Sequence, residues 1–191
     1  MTFAGNSGRA KGEEVSEAVR SVVDRLRTSK NKDCFDVIMW GYGNSSDQIL
    51  PQTPVGKINQ DSSFNPCKYI SDYTNTKLHP ALKDVQGSIQ NYLRKHDRPG
   101  VPAKAMVLIL SDGALSDQEI CLKTTNEFKL DARVHISSMF FESAGVQKSV
   151  DVELQKNLRE LASGDELFRS SSNIDEIRDH MIHSISSISE L

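Results

Sequence analysis

Hydrophobic positions along this chain switch repeatedly between a helical and a strand period. Val15, Ala18, Val19, Val22, Val23 and Leu26 recur every three or four residues, which predicts an amphipathic helix over residues 12–29 lying on a sheet. Residues 34–42, CFDVIMWGY, are mostly apolar and β-rich and stop at Gly43-Asn44-Ser45-Ser46, so they read as a buried strand ended by a turn. Residues 48–50 and 55–58 read as short edge strands broken by Pro51 and Pro54, because proline cannot donate to a central ladder. Residues 60–75 show no clear period and read as a long surface loop. A second helical stripe follows, Leu78, Ala81, Leu82, Val85, Ile89, Tyr92 and Leu93, closed by the turn Asp97-Arg98-Pro99-Gly100.

Residues 105–113, AMVLILSDG, form an apolar run of strand length that stops at a carboxylate set in a turn. A helix is predicted near residues 116–130, a strand over 133–141, and a helix around Leu154, Leu158 and Leu161. Residues 166–169 read as a last short strand. Ser170 to Asn173, SSSN, reads as the capping loop of a terminal helix marked by Ile174, Ile177, Met181, Ile182, Ile185 and Ile188. Strands alternating with crossover helices imply an α/β fold: a Rossmann-like, three-layer αβα sandwich with a mostly parallel central sheet. In such a sheet ligands sit at the carboxyl ends of the strands, where Asp112 stands.

Composition narrows the classes. At 191 residues, 37% hydrophobic and 26% charged, the chain fits a single domain over 1–191 able to bury a core. A net charge of -3 with interspersed signs shows no basic stripe and argues against nucleic-acid binding. No apolar run reaches the roughly 18 residues that span a bilayer, and the first residues lack a signal-peptide core, so the expectation is a cytoplasmic protein with no membrane role. Cys34, Cys67 and Cys121 are odd in number and widely spaced, which favours buried thiols over disulfides or zinc.

Three segments carry the chemistry: SGRAKGEEVSEAV near the start, TNTKLHPAL in the middle, and ILSDG. Their order and spacing resemble the von Willebrand factor A (vWA) family, in which a metal-ion-dependent adhesion site reads Asp-x-Ser-x-Ser, then Thr, then Asp. The strand FDVIMWGYG is similar to a bacterial intracellular branch of that family. The resemblance implies Ser7 and Thr76 as hydroxyl ligands and Asp112 as a carboxylate ligand of Mg²⁺ or Mn²⁺, hard cations that take oxygen donors and leave a position for a partner's carboxylate. The chain departs from the pattern at two places: the leading Asp falls on Gly5 and the second Ser on Arg9. One negative charge is lost and a positive one is brought in, so a degenerate site is expected. Arg9 would pair with Asp112 or offer its fork to an incoming carboxylate. Asn6, one residue off the spacing, has a carbonyl oxygen to contribute.

Plainer roles stand beside these. Asp112 satisfies turn backbone groups in an Asp-Gly turn, Thr76 caps the helix after it, Ser7 belongs to a cap or an unordered terminus, and Asp117 is a carboxylate at a helix N-terminus with a rim role as the alternative. Trp40 and Tyr42 read as core or sheet-end packing. His180 and His183 lie three apart on a helix and read as solvated.

The functional expectation is a non-catalytic protein-protein interaction module of vWA type. It would bind a partner at the carboxyl edge through Asn6, Arg9, Asn75 and Asp117, in a cytoplasmic multiprotein assembly with an AAA-type ATPase or signalling enzyme as partner. The alternative is a structural subunit with a vestigial site. Residues 1–4 make a short first strand, either stunted or belonging to a truncated form whose sheet another chain completes, which would give an oligomer. A metal-assisted hydrolase is the least supported, with no Ser-His-Asp order or nucleophile elbow.

Overall fold

The computed structural model describes residues 9–69, 75–113, 115–142 and 148–189. Five helices and five strands follow one another as α1 (Lys11–Thr28), β1 (Asp36–Tyr42), β2 (Ser46–Pro54), α2 (His79–His96), β3 (Ala105–Ser111), α3 (Gln118–Lys129), β4 (Val134–Phe141), α4 (Lys148–Leu161), β5 (Phe168–Ser171) and α5 (Ile174–Ser189). β3, β4 and β5 pair in parallel in that order, with Ala105 opposite Val134 and Ser111 opposite Phe140.

Alternation along β3 and β4 builds two cores. Val107 and Ile109 of β3 and Ile136 and Phe140 of β4 face a cluster with Leu82, Cys121, Phe128, Leu158 and Leu161 from α2, α3 and α4. Leu108, Leu110, Met139 and Phe141 point the other way, onto Val15 and Val22 of α1 and Ile177 and Met181 of α5. Helices therefore cover both faces, which is why β3 is a nearly continuous apolar run and why the polar Ser137 and Ser138 of β4 are buried. The fold is the α/β sandwich with a parallel central sheet that the alternation predicts.

β1 and β2 form a separate antiparallel pair. Here two expected edge strands are one: β2 runs through Pro51 because the register shifts around Met39, between Val37 opposite Thr53 and Met39 opposite Leu50. An irregularity of this kind leaves a residue outside the ladder, where a missing N–H costs nothing. Val55–Lys57, expected as strand, is a single 3-10 turn whose Val55 packs with Leu50, Ile58, Phe64 and Val23 in a third cluster.

Between β1 and β3 lies a cavity of about 1640 Å³. Every residue of 35–43 and of 103–113 lines it, and since strand side chains alternate between faces, a cavity touching consecutive residues runs along the strand edges. Val15, Val19 and Val22 of α1 wall it on one side and Leu78, Leu82 and Val85 of α2 on the other. Among the described residues, no strand pairs with the edge of β1 or of β3 that faces this cleft. The Tyr42 phenol crosses it and donates to the Leu110 carbonyl at 2.7 Å.

Candidate functional site

β3 delivers Asp112 to the carboxyl end of the sheet. The turn that follows is held by Ser111, whose Oγ donates to the Gly113 carbonyl at 3.2 Å and accepts from its N–H at 3.4 Å. Asp112, with a side chain 17% exposed, has its Oδ2 3.8 Å from the Lys11 Nζ. Lys11 is 1% exposed at its side chain. Its ammonium donates to the Phe141 carbonyl at 2.9 Å and lies 4.9 Å from the centre of the Phe141 ring. A buried ammonium is tolerated only when paired and hydrogen-bonded, and this one has a carboxylate, a carbonyl at the end of β4 and an aromatic face.

The cation at Asp112 is thus Lys11 and not Arg9, whose guanidinium instead meets Glu17 at 2.7 Å on an exposed stretch of α1. Sequence reasoning missed Lys11, although a signal was present. Residues 11, 15, 18 and 22 share one helical face, so Lys11 stands on the same stripe as Val15, Ala18 and Val22 and is buried with them. Its neighbour Gly12 is needed for close packing: a Cβ there would come within 2.6 Å of Asn65 Oδ1 and 2.7 Å of Cys67 Sγ.

Three loops are knitted into a rim above Asp112. Lys77 N–H donates to the Gly43 carbonyl at 2.7 Å, joining the loop after β1 to the lead-in of α2. The Ser116 N–H and Oγ both donate to the Thr76 carbonyl, at 2.9 and 3.2 Å. Asp117 accepts from Leu78 N–H at 3.1 Å and His79 N–H at 2.8 Å. Its carboxylate therefore caps α2, a neighbouring helix, while its own backbone starts α3. Thr76 does not act as the cap of α2: that position is Leu78, which cannot cap through a side chain, and Asp117 supplies the missing acceptor. Burial, then the nearby Asp117 carboxylate, pushes the Cys121 thiol beneath this rim up to about 12. Burial likewise raises the Tyr42 phenol above its ordinary range.

Asn75, Thr76 and Asp112 line one cleft. Asn6 and Ser7 lie outside the described residues, as does Gly5. Cys121 is buried as expected, but Cys34 is exposed and Cys67 intermediate. His180 is not solvated: half-buried on α5, its Nε2 is 3.2 Å from the Oγ of fully buried Ser137, which also accepts from Ser184 Oγ at 2.9 Å. Burial holds its pKa below the usual histidine range.

Of the ligands the resemblance implies, Thr76 and Asp112 are among the described residues and Ser7 is not. Hard cations need several oxygen donors, and among the described residues no group of three or more His, Cys, Asp or Glu is placed to hold a metal. Asp112 already faces an ammonium at 3.8 Å, which offsets much of the attraction its carboxylate would offer a cation.

No family model matches the chain, and no curated protein matches it. Solved structures do. The pilus adhesin SpaC from Lactobacillus rhamnosus GG, in its open conformation, is similar over 97% of this chain and 29% of its own, with a TM-score of 0.69 and 10% identity. Proximal thread matrix protein 1 from the mussel byssus, with a zinc-occupied MIDAS motif, matches over 96% of this chain and 43% of its own at a TM-score of 0.58 and 15% identity. Manganese-loaded TRAP protein from Plasmodium vivax matches over 87% and 63%, at 0.58 and 13%. The chain spans less than two thirds of each of these proteins, and at such identities the likeness is one of fold. That fold is the vWA fold.

Proposed function

We propose that this chain is a non-catalytic protein-interaction module that receives a partner at the carboxyl edge of its sheet. The observation that carries this reading is the cleft of about 1640 Å³ opening at Asn75, Thr76 and Asp112. It is larger than the roughly 300–1,000 Å³ of small-molecule sites, and its walls are apolar strand edges and helix faces. The Ser137 and His180 pair does not argue for a hydrolase, since Ser137 is fully buried between β4 and α5. Fold neighbours that include an adhesin support the same reading by analogy. The proposal extends to a cytoplasmic assembly of the bacterial intracellular kind, with an AAA-type ATPase or signalling enzyme as partner.

A photocrosslinking residue at Asn75, on the rim, tests it against one at Lys156, an exposed position on α4. A discrete protein adduct from position 75 alone, lost on Asp112→Ala, is expected. Equal adducts from both positions, or turnover of a generic ester or phosphate substrate, would overturn it.

The cleft between β1 and β3 also favours a second reading, in which a segment of another chain completes the sheet. Slow amide exchange at Asp36 and Leu108, whose backbone groups alternate away from the existing ladders toward the cleft, that strengthens with protein concentration would support sheet completion by a second copy; concentration-independent exchange counts against it.

A further inference from the structure

We propose that the Lys11 ammonium is the resident cation of this site, taking the charge-neutralising place of a divalent ion at the carboxyl end of β3 and making the rim independent of metal. Two of the matching structures are described as zinc-occupied and manganese-loaded. Here the positive charge is covalently part of α1.

Lys11 stands in the first turn of α1, where the partial positive charge of the helix N-terminus disfavours a cation. Glu13 and Glu14 share that turn and suit it; Lys11 does not. What holds an ammonium there is the far side of its environment: the Asp112 Oδ2 at 3.8 Å and the Phe141 carbonyl at 2.9 Å. These belong to the last turns of neighbouring parallel strands, so one side chain ties the carboxyl ends of β3 and β4 to the start of α1. The carboxylate, the carbonyl and the Phe141 ring stand around the ammonium, which is shut off from solvent, so the charge does not exchange. A divalent ion ligated by Asp112 would have to displace the lysine or share the carboxylate with it. The buried stem, in line with Val15 and Ala18, resists displacement. This holds whatever the rim binds.

Metal-stripped protein is titrated with Mn²⁺ by calorimetry and electron paramagnetic resonance, and its Tm is read with and without chelator. The parent chain should show no saturable binding and the same Tm in both. Lys11→Met keeps the apolar stem and removes the charge; it should gain Mn²⁺ binding with a Kd on the order of 1 mM or tighter, abolished in Lys11→Met with Asp112→Asn. Saturable binding by the parent that depends on Asp112, or no gain in a folded Lys11→Met, overturns the proposal. Should Lys11→Met fail to fold, the Asp112 variants decide. Asp112→Asn should lower Tm by about 5 °C by stranding the ammonium, and Lys11→Met with Asp112→Leu should recover it. A parent Tm raised by Mn²⁺, or no loss in Asp112→Asn, refutes the substitution of lysine for metal.

Discussion

The parallel half of the sheet and the antiparallel half are built on different terms. β3 and β4 are covered on both faces, pair residue for residue from Ala105 to Ser111, and end at a rim stitched by backbone hydrogen bonds. β1 is intermediate in burial and β2 largely exposed, their register shifts near Met39, and β1 faces the cleft on its other edge. The Tyr42 phenol of the second half donates to the Leu110 carbonyl of the first, and α1 and α2 wall the cleft between them. A site placed at their junction has one wall in regular register and one with a shifted register.

Core truncation breaks the comparison most directly. Phe140→Ala in β4, where the ring is 1% exposed, should cost about 3–5 kcal/mol in denaturant unfolding, while Met39→Ala in β1 should cost about 1 kcal/mol. Equal costs would mean that the two halves share the load. The rim comes next. Asp117→Ala removes the acceptor of two N–H groups at the start of α2 and should cost about 1–2 kcal/mol, with faster hydrogen exchange at Leu78 and His79; Asp117→Asn, which keeps one acceptor oxygen of the two, should protect only one of these N–H groups. The smallest effect is a pH dependence of the parallel half. The unfolded chain takes up a proton at His180 near its ordinary pKa of 6.5, the folded chain only lower, so unfolding binds a proton in the interval between them. Stability is intact above that window and falls as pH drops through it. In His180→Gln that part of the slope should vanish from stability curves measured across the window.

The same contrast sets how far the sequence could be read. β3 was legible because burial on both faces leaves an apolar run with no rival reading, and the crossover helices show their stripes openly. β2 was split in two because Pro51 signals a break, and only the partner strand's shifted register shows that the break is tolerated. At the site, Asp112 was marked by its place after an apolar run. Lys11 was not, because a lysine letter reads as solvent and its burial depends on a carboxylate about a hundred positions away in the chain. Asp117 likewise caps a helix that precedes it by some forty residues. Such roles follow from packing between segments, which local periodicity does not encode.

Trp40 is the only tryptophan in the chain, and it stands in the wall of the cleft between β1 and β3. The molecule therefore carries its own optical gauge in the seam between its two halves. Excited selectively, the indole's emission follows how dry that seam is, so opening, closing or occupation of the cleft registers as a colour change without any label.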